Sequence, residues 1–531
     1  MIRKNSKSDV VVGSRYAACF MVATTTKKRM DKKVVITTKK SDRNTILITL
    51  PVDFDLDNHI AQFPPAQYEG FFELGSVIYS RWQLKFSKDK IYFFLGLLSS
   101  IPARNSDIVK EDGFVPINQK PIRDGIRDIN YYADYLKNTG VIECDDDRVV
   151  GSKSYGYKWG KKYSSSLFST RRIECIYADF DTLKNTKYIN TLYNSQYTEF
   201  PYLFHWYQQK KLMIDTAANS YAFQICQAKM NDPTKEGWDL NNKEEKKHPA
   251  SQYHSALLNI YKIQDLCYEA HIDDNVHRLH SALTGLGTKY RQYVNYNDKK
   301  LVGIDITNSQ PYIISLILNR EFWSENSSLP LNITHLPNKI RLALMEGDLP
   351  VRIKKFFNSV EDNTFTEYKA LVSSGKFYEN VVEIATGLGK TITRDEAKIL
   401  MFYTMYSSNY QPKDPFLKQM RGIFKDMFPK VAELFQIIKR NFDKKNFIGE
   451  DANKQHNRLA RLLQSIESNI VLHKCCKRIW EEGNQQVPVF TIHDNIVTTE
   501  GNKDLVRTIM YEELERYIGL APPLSEPEIW Q

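Results

Sequence analysis

Residues 487–499 read VPVFTIHDNIVTT, two β-branched and aromatic runs flanking His-Asp-Asn. Such side chains lose χ1 freedom in a helix and suit the pleated, half-buried surface of a sheet. Two of these runs around a polar break predict an antiparallel hairpin with His493 and Asp494 at its tip. Asp and Asn are also ordinary turn residues, so on this stretch alone a turn that binds nothing is the better reading.

A carboxylate that binds a metal needs partners, and residues 299–318, KKLVGIDITNSQPYIISLIL, offer one. LVGIDI predicts a buried strand ending in Asp305. SQP then puts Pro311 in the first turn of a helix, where its missing N–H costs nothing. A lone Asp at a strand end is ordinarily structural. Two at the ends of separate strands can lie side by side in one sheet and hold two Mg²⁺ ions about 4 Å apart for in-line phosphoryl transfer.

Between the two carboxylates lies TRDEAKILMFYTMYSSN. Thr393 and Glu396 have capping-box spacing, which starts a helix. Along it Arg394, Lys398, Phe402 and Tyr406 recur every four residues and share one face. In a core those cations would be buried without partners, at high cost. The pattern suits a nucleoside triphosphate, with Arg and Lys on the phosphates and the aromatics against the base. The alternative is an amphipathic helix with a solvated basic end.

The N-terminal half predicts something different. KIYFFLGLLSSI has helical length, and Ile122, Ile126, Ile129, Tyr132 and Leu136 define one helical face that Gly140 terminates. Two strand-like pieces around a polar turn follow, ending in Lys, Tyr and Trp. Helix, helix and basic wing are similar to a winged helix-turn-helix, in which Lys153, Tyr155, Lys158 and Lys161 would meet phosphates. The alternative is a helical domain with an edge hairpin that contacts protein. Asp179 and Asp181 in IYADFDTL resemble an exonuclease motif, but too little chain follows for an exonuclease, so surface carboxylates are expected. Residues 231–252 predict a linker or long loop.

The 531 residues allow two to four domains, and 42% hydrophobic with 26% charged residues is an ordinary soluble balance. A net charge of +10 favours a polyanionic partner. Its Lys/Arg clusters in residues 1–43 predict a solvated arm with nonspecific phosphate affinity. Seven cysteines without a CxxC pair suit a reducing compartment and exclude a zinc ribbon. No apolar run nears the ~20 residues that span a bilayer, and no signal peptide is read at the N-terminus, so a cytoplasmic protein without membrane contact is expected.

Taken together, the Asp305 strand, the RxxxKxxxFxxxY helix and the HD hairpin resemble, in order, motifs A, B and C of the family A, DNA polymerase I-like DNA polymerases. DDNVHRLHSALTGLGTKYRQYV resembles the segment that contacts primer-template, with Arg278 and Ser281 as counterparts. LARLLQSIESNIVLH resembles the helix before motif C, whose Gln, here Gln464, reaches the minor groove. The resemblance covers residues 252–531 and implies a divergent mobile-element or phage-type member without a proofreading exonuclease. It implies an α+β right-hand fold of palm, fingers and thumb in residues 251–531. Before it would stand a basic arm and small region (1–75), a mainly helical winged-helix-like domain (76–165), and a helical region with linker (166–250).

The implied activity is primer extension on DNA with dNTPs. Asp305, Asp494 and the Ile306 carbonyl would hold two Mg²⁺ ions, for which Mn²⁺ substitutes. Lys398 would donate a proton to pyrophosphate, and His493 would orient the primer terminus. The chain also departs from the family. Gln310 stands where a Glu helps exclude the ribose 2′-hydroxyl, the hairpin reads HDN rather than HDE, and the segment between motifs A and B is long. RNA-synthesising or template-independent transfer therefore stays open, as does a DNA-binding initiator with a vestigial polymerase fold. ATGLGKT, residues 385–391, matches a helicase phosphate loop, which requires a preceding buried strand; a loop before the nucleotide helix is expected instead.

Overall fold

The computed structural model describes residues 45–530 apart from 69–70, 75–76, 81–85, 106–107, 124–125, 127, 148–153, 176–194, 239, 242–244, 362 and 441–455. The basic arm, Lys153, Asp179 and Asp181 lie outside the described residues.

The LVGID and VFTIHDNIVTT runs meet in one antiparallel sheet. Its strands run in the order Phe490–Ile492, Asn495–Thr499, Lys299–Ile304, Val294–Tyr296 and Leu212–Ile214, and Glu528–Ile529 adds to the third. The register pairs Leu301 with Thr499 and Ile304 with Ile496. Leu301, Ile304, Ile496 and Val497 are fully buried, because helices cover the sheet. Among them Ser309–Ile317 and Asn457–Ile470 pack together, and Lys503–Ile518 closes over both. Leu212–Ile214 belongs to this sheet although its sequence neighbourhood reads as a separate region before residue 251; its pairing with Val294–Tyr296 is a long-range contact that local pattern does not encode.

A second core gathers residues from Ile48 to Cys175 around the helix Lys88–Arg104. The expected face from Ile122 to Leu136 is buried throughout, but two helices, Gln119–Arg123 and Ile129–Asn138, share it rather than one. Gly140 takes φ +74° just past the second, where glycine escapes the Cβ clash of the left-handed region. Strands Val115–Pro116, Gly156–Trp159 and Ile142–Cys144 form a sheet in that order. The helix Lys88–Arg104 packs against Pro249–Gln264, and Tyr253 Oη receives the Phe168 N–H at 3.1 Å.

The linker expected over residues 231–252 holds only in part: residues 231–238 are turns, with the Trp238 indole donating to the Lys229 carbonyl at 2.7 Å, whereas Glu245–Lys246 pairs with Leu240–Asn241 and a helix begins at Pro249. The long segment between Ile317 and Arg394 is helical, and its last helix is Phe377–Gly387. This corrects the expected loop at residues 385–391 over its first three residues and agrees with setting a phosphate loop aside. Ala385, Thr386 and Gly387 end a helix rather than starting a loop, and no strand precedes them, so no phosphate loop can form. Among the described residues no helix is long and apolar enough to cross a membrane, and no disulfide joins the described cysteines.

Candidate active site

The hairpin closes with Ile492 opposite Asn495, leaving His493 and Asp494 as its two-residue turn. His493 has φ +58°, a conformation that costs a side chain about 1–2 kcal/mol and that glycine ordinarily fills in such turns. Asn308, just after the other carboxylate, is also left-handed and ties its amide to the Val372 carbonyl at 3.1 Å. Strain at both turns is held by the surrounding fold.

Asp305 follows its strand directly, with the Asn495 side chain close enough to favour its ionised form. Gly303 makes that possible: a Cβ there would meet the Asn495 amide at 2.9 and 3.0 Å. Burial, and then the charge of Asp494, pushes the Asp305 carboxyl up to about 7, with Arg291 opposing the rise. Burial raises Asp494 as well. Two neighbouring carboxyls held above their ordinary range make a site that is short of positive charge. Arg291 offsets part of it from a position 5.7 Å over the Trp530 ring.

Behind this pair stands Glu467, which local sequence pattern does not single out. Its side chain is 2% exposed and takes the Arg278 guanidinium, the Ser309 hydroxyl at 3.1 Å and the Gln310 amide N–H. Burial and the charge of Asp494 push it up to about 7. On its other side Gln310 accepts a hydrogen bond from Tyr406 Oη at 3.2 Å. The helix Arg394–Tyr406 is thereby joined to the helix Ser309–Ile317 that follows the Asp305 strand.

That helix begins with the expected capping box, Thr393 Oγ1 accepting from the Glu396 N–H at 3.2 Å and Glu396 Oε2 from the Thr393 N–H at 2.7 Å. Its cation-aromatic face is open rather than part of the core, as the cost of burying unpaired cations requires. Arg394 pairs with Glu379 at 2.6 Å and Lys398 with Asp395 at 3.3 Å, both exposed. Phe402 stacks on Tyr406 with ring centroids 5.7 Å apart. At the far end of the helix Lys439, buried, donates to the Thr404 and Ser407 carbonyls at 2.6 and 3.0 Å.

Other expected residues are partly taken up by the fold. Arg278 is committed to Glu467. Ser281 caps a short helix by accepting from the Leu283 N–H at 3.2 Å and takes the Tyr207 hydroxyl proton at 3.1 Å. Lys158 lies 4.1 Å over the Phe114 ring and 3.6 Å from Glu143. The Ile306 carbonyl accepts from the Ser309 N–H at 3.1 Å, which leaves it one lone pair. Gln464 is half-buried on the helix Asn457–Ile470. His493 lines a cavity of about 360 Å³ with His280 and Ser281; its side chain reaches solvent, but the protein packed around the ring lowers its pKa, helped by Arg278.

Arg291 and Glu467 are the two residues that sequence reasoning missed. Each is one charged residue in an otherwise ordinary amphipathic run, and only its neighbours across the fold distinguish it.

Two carboxylates and a carbonyl are hard oxygen donors, and their unbalanced charge fits a divalent cation that completes its shell with water and substrate phosphates. Among the described residues no group of three or more His, Cys, Asp or Glu forms a closed metal cage.

No known protein family matches the sequence, and no curated protein matches it. Among solved structures, the POL domain of Pol1 from M. smegmatis, in complex with DNA primer-template and dNTP, is similar over 64% of this chain and 66% of its own, with 12% identity and a TM-score of 0.27. The chain thus spans just under two thirds of that structure's length. At this TM-score any functional reading rests on the residues of this chain.

Proposed function

We propose that the chain is a template-directed nucleotidyltransferase that extends a DNA primer with dNTPs. One observation carries the reading. Asp305, just past its strand, and Asp494, in the turn leading onto the adjacent strand, lie close enough that the charge of Asp494 raises Asp305, and a hydrogen bond from Tyr406 to Gln310 joins an open cation-aromatic helix to the helix that follows Asp305.

In this reading Asp305, Asp494 and the Ile306 carbonyl hold two Mg²⁺ ions, which when bound acidify the primer 3′-hydroxyl and neutralise the departing pyrophosphate. Arg394 and Lys398 exchange Glu379 and Asp395 for the triphosphate, an inexpensive exchange because both pairs are exposed. Lys398 donates a proton to pyrophosphate. Phe402 and Tyr406 offer a stacked aromatic surface to the base, and His493, neutral near pH 7, accepts a hydrogen bond at the primer terminus. Gln464 faces the minor groove of the new pair.

Asp305→Asn and Asp494→Asn should each abolish incorporation while the protein stays folded and binds primer-template. Near-normal extension by either would remove the assignment.

A second reading concerns the N-terminal core. Helix, strand, two helices and two strands, with the last strand central in the sheet, support a winged-helix reading. We infer a duplex-binding module there, with Lys161 better placed than the paired Lys158 to meet phosphate.

A further inference from the structure

We propose that Glu467 is a positioning residue for sugar selection, holding the Gln310 amide so that its carbonyl oxygen faces Tyr406 and the nucleotide sugar. The inference rests on the nucleotidyl-transfer reading and deepens it.

The chemistry of the contacts decides the amide's orientation. Glu467 Oε1 takes Arg278, and Oε2 takes both Ser309 and Gln310. With two donors already on Oε2, a proton on this carboxyl can only sit on Oε1, so Oε2 accepts in either protonation state. Gln310 must therefore turn its NH₂ toward Glu467. A planar amide then points its oxygen the opposite way, where the Tyr406 hydroxyl donates to it at 3.2 Å.

Two consequences follow. Gln310 presents to the sugar what a carboxylate would present, an oxygen of the same reach that already holds a tyrosine proton. A ribose 2′-hydroxyl therefore meets a crowded, engaged acceptor, and discrimination should be stricter than a freely turning amide would give. The amide at 310 also has its explanation: a second carboxylate there would stand against buried Glu467, and like charges at that range cannot both ionise cheaply. The chain has moved its carboxylate one layer back.

The test is a four-protein cycle of wild type, E467Q, Q310E and the Q310E/E467Q exchange. For each, kcat/KM for dATP and ATP is measured opposite the same template thymine, together with the melting temperature. In E467Q two amide NH₂ groups face each other, one turns over, and the dATP preference should fall about tenfold, the equivalent of about 1.4 kcal/mol. Q310E should melt lower than wild type. The exchange variant restores one carboxylate and one amide in contact and should recover both preference and melting temperature. An unchanged preference in E467Q, or an exchange variant no better than the sum of its single changes, overturns the inference. If E467Q melts below the assay temperature, the exchange variant decides alone. A wild type that extends with neither nucleotide sinks the nucleotidyl-transfer reading and this inference with it; an active wild type with an unmoved ratio sinks only the inference.

Discussion

Replacing Asp305 by Asn should stabilise the metal-free protein while destroying its activity. The carboxyl is raised from 3.8 to about 7, so the folded state holds its proton more tightly than the unfolded state. At about 1.4 kcal/mol per unit this is a cost of about 4 kcal/mol to the ionised fold. Asp305 is half-buried and shares its shift with Asp494, and solvent screening reduces the figure to about 2 kcal/mol. The sign follows from linkage: a raised carboxyl costs nothing below its unfolded pKa, and the penalty grows with pH until it levels off above about 7. Asn removes the charge and keeps an acceptor for Asn495. For a unit of this size about 2 kcal/mol corresponds to about 2–4 °C. In EDTA, D305N should melt that much higher than wild type at pH 8, and about a third as much higher at pH 5. Adding Mg²⁺ at pH 8 should raise wild type and leave D305N nearly unmoved, because only wild type keeps both carboxylates. The measurement is a melting series across pH with and without metal. A variant that melts lower than wild type in EDTA at pH 8, or a gain that does not grow with pH, would refute the reasoning.

Gly303→Ala should push the Asn495 amide off Asp305, since the added Cβ falls within 3 Å of it; extension should drop about tenfold with a small loss of melting temperature, whereas unchanged kinetics would free Asn495 of any part. Lys439→Ala leaves the Thr404 and Ser407 carbonyls without their buried donor and should cost about 1–3 kcal/mol by urea titration; a change under about 0.5 kcal/mol would mean that water replaces it. Deleting residues 1–175, which removes the N-terminal core with both of its paired strands, should weaken duplex binding and flatten its salt dependence; an unchanged slope would favour a protein-contact role for that core.

Whatever acts over a few residues was legible in the sequence. Thr393 and Glu396 cap their helix, Pro311 starts one, Gly140 ends one, and the β-branched runs around His493 and Asp494 pair as a hairpin. Each signal is short-range sterics or a local hydrogen bond, so the chain states it wherever it lies. The four-residue spacing of Arg394, Lys398, Phe402 and Tyr406 placed them on one face, but nothing in that spacing says whether the face is buried, and it is open. Other features were decided by tertiary structure alone. Leu212–Ile214 joins a sheet whose other strands begin some eighty residues later. Arg278 is turned inward by a carboxylate 189 positions away, and Gln310 is oriented by the same carboxylate from 157 positions away. A buried polar group must find its partner wherever packing puts one, and chain distance carries no record of that choice.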